Sequence, residues 1–243
     1  MTHSPPAKPA KPETDMFAEA FEALTKYREG SGRAALLPLD QAVGGATGSE
    51  RRRLEERLLA VLRAGPSPVA SEYICSKLVL IGSAASVPAL AALLADPQVA
   101  TAARTALEAM PSHIAARALR NSLPKLENAQ RIGAINSLAV RRDEESVAAL
   151  SDLLPSRDEQ LALAAAAALG CIGTEKASKA LRVFWQKAPA GIQIRLADAL
   201  LVCAEQLLAA KKPVDAKALY ELVTAPTLPH HIQTAARKGL AIC

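Results

Sequence analysis

The residues of this chain whose types could carry catalysis or hold a metal are its four histidines and four cysteines; one glycine-rich stretch invites comparison with phosphate-binding loops. His3 lies in a polar N-terminal segment, and His113 stands alone in a first helical turn. His230 and His231 are adjacent. Neighbouring side chains on a helix project about 100° apart, so these two cannot grip one metal as an i, i+4 pair does. Cys75, Cys171, Cys203 and Cys243 form no C-x-x-C pair, and each falls within an apolar helical pattern, where a thiol acts as a small hydrophobe. Gly44-Gly45-Ala46-Thr47-Gly48 follows no strand and precedes no Lys-Ser/Thr, so it reads as a linker rather than a P-loop or dinucleotide turn. No G-x-S-x-G, H-E-x-x-H or EF-hand pattern occurs. Asp198 lies three residues after Arg195, which predicts an intrahelical pair. The sequence therefore offers no catalytic residue, no metal site and no cofactor motif, and what remains to it is recognition.

The elements that would position a recognition surface are helices. Half of the 243 residues are hydrophobic but only 3% are aromatic, so Ala and Leu must make the core. That composition favours closely packed helices over sandwiches and barrels, which draw on aromatic and β-branched residues. The net charge of +5 is a mild bias that fits an acidic partner and equally an ordinary soluble protein. A nucleic-acid groove would ask for clustered cations and stacking aromatics; one Trp, three Tyr, three Phe and no basic run longer than Arg51-Arg52-Arg53 make it the lesser alternative.

Two leucine ladders organise the chain. Leu78, Leu107, Leu138, Leu169 and Leu200 are spaced by 29, 31, 31 and 31 residues; Leu90, Leu119, Leu150, Leu181 and Leu219 interleave at 29, 31, 31 and 38. Two apolar stripes per unit mean two amphipathic helices per unit, and neither stripe is buried unless units stack. The expected helices run over about 68–81, 85–95, 97–109, 112–123, 128–140, 144–154, 159–170, 175–187, 190–209, 214–224 and 230–242. Ser67-Pro68 and Asp96-Pro97 look like N-caps followed by a first-turn proline, Asp143, Asp158 and Thr174 like further caps, and Gly82 and Gly173 like left-handed stops. Residues 67–243 thus form the array, about five pairs and a terminal helix. Residues 16–66 form a helical cap, with helices around Phe17–Leu24, 35–43 and Leu54–Leu62 and a flexible loop at Gly44–Ser49. The Pro/Lys-rich segment 1–15 is expected to be disordered and lacks the apolar centre of a signal peptide. The uncharged run Leu78–Ala95 is long enough to raise a membrane span, but Gly82-Ser83 and Pro88 divide it into two repeat helices.

Leu80-Ile81-Gly82 with Ser86-Val87-Pro88-Ala89-Leu90, Ser146-Val147-Ala148-Ala149-Leu150, and Leu169-Gly170-Cys171-Ile172-Gly173 leading to Leu181 resemble HEAT repeats, in particular the short bacterial type related to those of phycobilisome lyases. The resemblance covers about residues 68–242 and concerns architecture; no chromophore-handling motif carries over. It implies an all-α, right-handed α-solenoid (an α-α superhelix) of stacked antiparallel helix pairs, working as a protein–protein scaffold or rigid spacer, and expected to be a segment of a longer polypeptide. It also implies that second helices line a concave face. Here they carry Arg117, Arg120, Lys176, Lys179 and Arg182, a candidate basic strip for a protein partner, with Trp185 at its end as an aromatic anchor. The competing reading is that these cations only solubilise the face while Trp185 fills the core beside Phe184. Arg141 and Arg142, in a turn, are expected to cap helix carbonyls. The segment Ala84–Ala95, polar only at Ser86, requires cover from the N-terminal helices or from a partner.

Overall fold

The computed structural model describes residues 17–243, so the expected tail at 1–15 lies outside them. The described residues are all-α, with no strand among them. The chain divides after Ile81 into two compact units, and the helix over 68–81 lies in the first.

The first unit holds α1 (Ala18–Thr25), α2 (Leu37–Gly45), α3 (Gly48–Arg63) and α4 (Pro68–Ile81). Leu24, Leu36, Leu39, Leu58, Ile74 and Leu78 are fully buried between them. α4 begins as its sequence predicts: Ser67 Oγ accepts from the Ala70 N–H at 3.2 Å, and Pro68 occupies the first turn, where its missing N–H is no loss. At its far end Arg51 donates to the carbonyls of Leu80 and Ile81, at 2.8 and 3.1 Å, groups that no helical N–H reaches. The flexible loop expected at Gly44–Ser49 shrinks to Ala46 and Thr47, because the buried stripe Leu39/Val43 carries α2 through Gly45 and Gly48 already opens α3.

The second unit holds α5 (Val87–Ala92), α6 (Ala100–Ala109), α7 (His113–Ser122), α8 (Asn128–Val140), α9 (Val147–Leu153), α10 (Glu159–Ile172), α11 (Glu175–Lys187), α12 (Ala190–Ala209), α13 (Pro213–Leu222) and α14 (His230–Leu240). Even-numbered helices pack on one another in series, α6 on α8, α8 on α10, α10 on α12 and α12 on α14; the odd-numbered ones form a parallel second layer. This is an α-solenoid of stacked helix pairs. Leu107, Leu138, Leu169 and Leu200 lie in the first layer and Leu90, Leu119, Leu150, Leu181 and Leu219 in the second, all nine at most 1% exposed. The two ladders are thus the core, as their spacing requires.

Helix ends follow the same period. Arg142 (φ +48°), Gly173 (φ +64°) and Lys211 (φ +60°) take the left-handed conformation after α8, α10 and α12, at the same intervals of 31 and 38 residues that separate Leu150, Leu181 and Leu219. Asp158 and Thr174 cap α10 and α11 through Leu161 N–H and Ala177 N–H. Three expected devices differ. Gly82 does not take a positive φ. Asp96 accepts from Gln98 N–H within a turn, and α6 starts only at Ala100. Asp143 makes no cap bond, because its carboxylate is engaged by Arg120. The segment Ala84–Ala95 buries Val87, Leu90 and Leu94, and its exposed positions carry only alanine and proline once Ser86 is buried. No helix among the described residues is long and apolar enough to cross a membrane.

Candidate partner-binding surface

The second layer of the solenoid carries the cations picked out by the sequence. They do not act alike. Arg117 is exposed on α7. Arg120, at the end of the same helix, is held by Asp143 and by Glu145 of the next unit, with Nη2 to Glu145 Oε2 at 2.5 Å and its side chain only 14% exposed. A guanidinium so occupied is an inter-unit tie and leaves the strip. Lys176, Lys179 and Arg182 are exposed on α11. Trp185 is 7% exposed, so it fills the core and no anchor remains at that position. The half-buried aromatic beside it, Phe184, is the one that borders open space. Adjacent helical residues point about 100° apart. Sequence patterning placed an aromatic here, but only the packing decides which of two neighbours turns inward.

α11 has a groove on each flank. Towards α13 the lining is polar and of mixed charge: Glu175, Lys179, Arg182, Gln186 and Asp215, with Ser178 and Val183. Lys212 lies 2.5 Å from Glu175 and, through that hydrogen bond and its charge, holds the Glu175 carboxyl below its ordinary value. Towards α9 a groove of about 460 Å³ is floored by Leu154, Pro155, Ala180, Val183 and Phe184 and rimmed by Lys176, Lys179 and Lys187. No carboxylate lines it. Periodicity explains the set: Lys176, Ala180, Val183 and Lys187 follow a helical stripe, the face of α11 turned to α9. Lys187 and Leu154 escaped the sequence reading, because the partner stripe on the facing helix is short.

The other chemistry-bearing residues are placed as follows. His230 and His231 are both exposed at the start of α14, and among the described residues no three of His, Cys, Asp and Glu come together as metal ligands would. Arg195 pairs with Glu159 on the neighbouring helix and not with Asp198, since the stacked helix brings a carboxylate to the guanidinium directly. Arg141 does cap helix carbonyls, those at the end of α6 in the preceding unit: its Nη atoms donate to Leu107, Glu108, Met110 and Ser112 oxygens. Cys75 and Cys203 are buried, which pushes both thiols up to about 12 and removes them from thiolate chemistry at neutral pH. In the first unit, Lys77 and Asp40 form an ion pair at 2.6 Å, with the Tyr73 hydroxyl 3.0 Å from Asp40. Nothing in the helical periodicity announces this cluster.

No protein-family model matches the chain, and no curated protein matches it in sequence. Among solved structures it is similar to an engineered protein, at 22% identity and a TM-score of 0.45, over 84% of this chain and 96% of that one. It is also similar to human deoxyhypusine hydroxylase in complex with glycerol, at 15% identity and a TM-score of 0.37, over 92% and 94% of the two chains. With both scores below 0.5, neither likeness bears on function.

Proposed function

We propose that this chain is a non-catalytic protein-interaction module that offers the second layer of its HEAT-like array, centred on α11, to an acidic protein partner. The observation that carries the reading is the groove between α9 and α11, where an apolar floor is ringed by three lysines and no carboxylate lines the groove. Exposed apolar surface rimmed by charge is a feature of binding faces rather than of solubilised ones. Unpaired cations beside it speed the encounter with an acidic surface and set its orientation. Stacked helix pairs supply a rigid backing, so little ordering entropy is lost on binding.

The test is a comparative pull-down. Lys176, Lys179 and Arg182 are exposed and free of ion pairs, so the triple variant K176E/K179E/R182E should melt within a few degrees of the wild type while losing the partner that the wild type recovers. Recovery unchanged by the triple reversal removes this surface from the function. Retention of the wild type on DNA at moderate salt, abolished in the same variant, would move the reading to nucleic acid. Arg120 is left intact in this design because its replacement would disturb the fold itself.

A further inference from the structure

Resting on that reading, we infer that the α9–α11 groove takes a short partner segment in which one or two bulky apolar side chains are flanked by carboxylates. Three features of the site select this occupant. Between the lysines the lining is Leu154, Pro155, Ala180, Val183 and Phe184, with Ser151 beside them donating its hydroxyl to the Val147 carbonyl at 2.7 Å, so what displaces water from the floor gains chiefly if it is apolar. The volume of about 460 Å³ lies low in the range of about 300–1,000 Å³ typical of ligand pockets, room for a side chain or two and not for a folded surface. The rim then fixes the charge of the flanks. Lys176, Lys179 and Lys187 place three cations around the floor with no acid among the lining residues, and the carboxylate closest to them in sequence, Glu175, is drawn off by Lys212.

Other occupants fit the same groove less well. A nucleic acid would satisfy the lysines through phosphates, but an aliphatic floor with one half-buried phenylalanine gives its bases no stacking platform. A membrane surface would meet the cations but cannot enter a concavity between two helices. An acidic segment with a buried Leu or Phe uses floor and rim together, in the manner of an anchored peptide in a groove. Val183, 46% exposed, offers such an anchor an open aliphatic contact on the floor.

The experiment is fluorescence anisotropy with the full chain and a fluorescein-labelled synthetic peptide carrying a Leu-Phe pair between Asp-Glu pairs. One control peptide replaces Leu-Phe by Gly-Ser, and a second replaces every acid by its amide. Saturable binding of the first peptide is expected, with each control at least tenfold weaker. The variants V183E and K176E/K179E/K187E should each lose at least tenfold, and V183Q should lose less than V183E. Trp185 fluorescence and the melting temperature verify that each variant is folded. No saturable binding at millimolar chain overturns the inference. So does equal binding of the Gly-Ser peptide, which would leave charge alone, or of the amide peptide, which would leave the lysines without a role. A dimer of the chain abolished by V183E would make the occupant a second copy and overturns it too. A partner lost from K176E/K179E/R182E but kept by V183E overturns the apolar anchor while leaving the proposed function standing.

Discussion

Arg120 Nη1 lies 2.6 and 2.5 Å from the two carboxylate oxygens of Asp143, joining the end of α7 to the turn that opens α9 across 23 residues of sequence. Both side chains are largely out of water, at 14% and 12% exposure. The pair therefore belongs among buried ion pairs, whose desolvation is offset only while both partners are present. Other polar ties also join neighbouring units: Arg195 to Glu159, Lys212 to Glu175, Asn128 to Asp158 and Arg104 to Ser137 each cross about one repeat. Apolar ladders hold the stack together, and these ties fix its register.

Removing Arg120 alone should leave Asp143 buried without its cation. Arg120→Ala is expected to lower the unfolding free energy by about 3 kcal/mol, and the double variant R120A/D143A to recover a good part of that. Urea unfolding followed by the fluorescence of Trp185, the one tryptophan of the chain, reads the effect in the unit concerned. A loss below about 1 kcal/mol would class the pair with surface salt bridges instead.

Close approach of α10 and α12 gives a second prediction. A Cβ added to Gly170 would stand 2.6 Å from the Ala199 carbonyl oxygen, which is backbone and cannot step aside. Gly170→Ala should cost about 1–3 kcal/mol by overpacking. Gly191, also helical, has nothing within 4 Å of the same atom, so Gly191→Ala should be neutral or gain up to about 1 kcal/mol through helix propensity. Thermal unfolding of the two variants side by side separates packing from propensity, and equal shifts would refute the close approach.

Much of this architecture was legible in the residues themselves. Leucines that recur at a fixed interval must share a layer, and the helices over 68–81, 128–140, 175–187 and 190–209 begin and end where patterning and caps place them. What sequence spacing could not supply was direction in the second dimension of the stack. It offered Asp198 as the partner of Arg195 because it measured distance along one helix, whereas the stacked neighbour provides Glu159. The same blindness offered Trp185 to a ligand when Phe184 is the aromatic that faces outward, and it counted Arg120 as free when the next unit holds it. Of the basic strip, Lys176 and Lys179 meet in the α9–α11 groove, while Arg182 faces the polar groove towards α13.

Lys211 ends α12 at φ +60° with a side chain, where a left-handed residue other than glycine costs about 1–2 kcal/mol. Its counterpart after α10, Gly173, avoids that cost. The side chain of Lys211 is exposed, so Lys211→Gly should raise stability by about 0.5–1 kcal/mol once the added freedom of the unfolded chain is subtracted. A drop in the urea midpoint would mean that Lys211 makes a contact worth more than its strain.

The four thiols should separate by exposure. Cys243 is exposed and Cys171 half-buried, whereas burial holds Cys75 and Cys203 at about 12. With a thiol-reactive disulfide reagent at pH 8, one equivalent is expected to react fast, one slowly, and two only after denaturant is added. Rapid reaction of all four in the native state would contradict the packing of both units.

Acid should weaken the first unit through Asp40. Burial on its own would raise this carboxyl, but hydrogen bonds from Lys77 and Tyr73 and the charges of Lys77 and Arg33 outweigh it and hold it below its ordinary value. A carboxyl lower in the folded than in the unfolded state binds its proton more weakly when folded, so its stabilisation is complete above the unfolded value of about 3.9 and fades as pH falls through the folded one. Asp40→Asn should therefore lower stability at pH 7 and flatten the acid limb below about pH 4, since the amide cannot gain a proton there. Lys77, only 8% exposed, would lose its counter-charge in that variant, and K77M/D40N should regain part of the loss by removing the stranded cation with its missing partner. Circular dichroism of urea unfolding from pH 7 to pH 3 measures both effects, and an acid limb equally steep in wild type and Asp40→Asn would assign the acid sensitivity to another carboxylate.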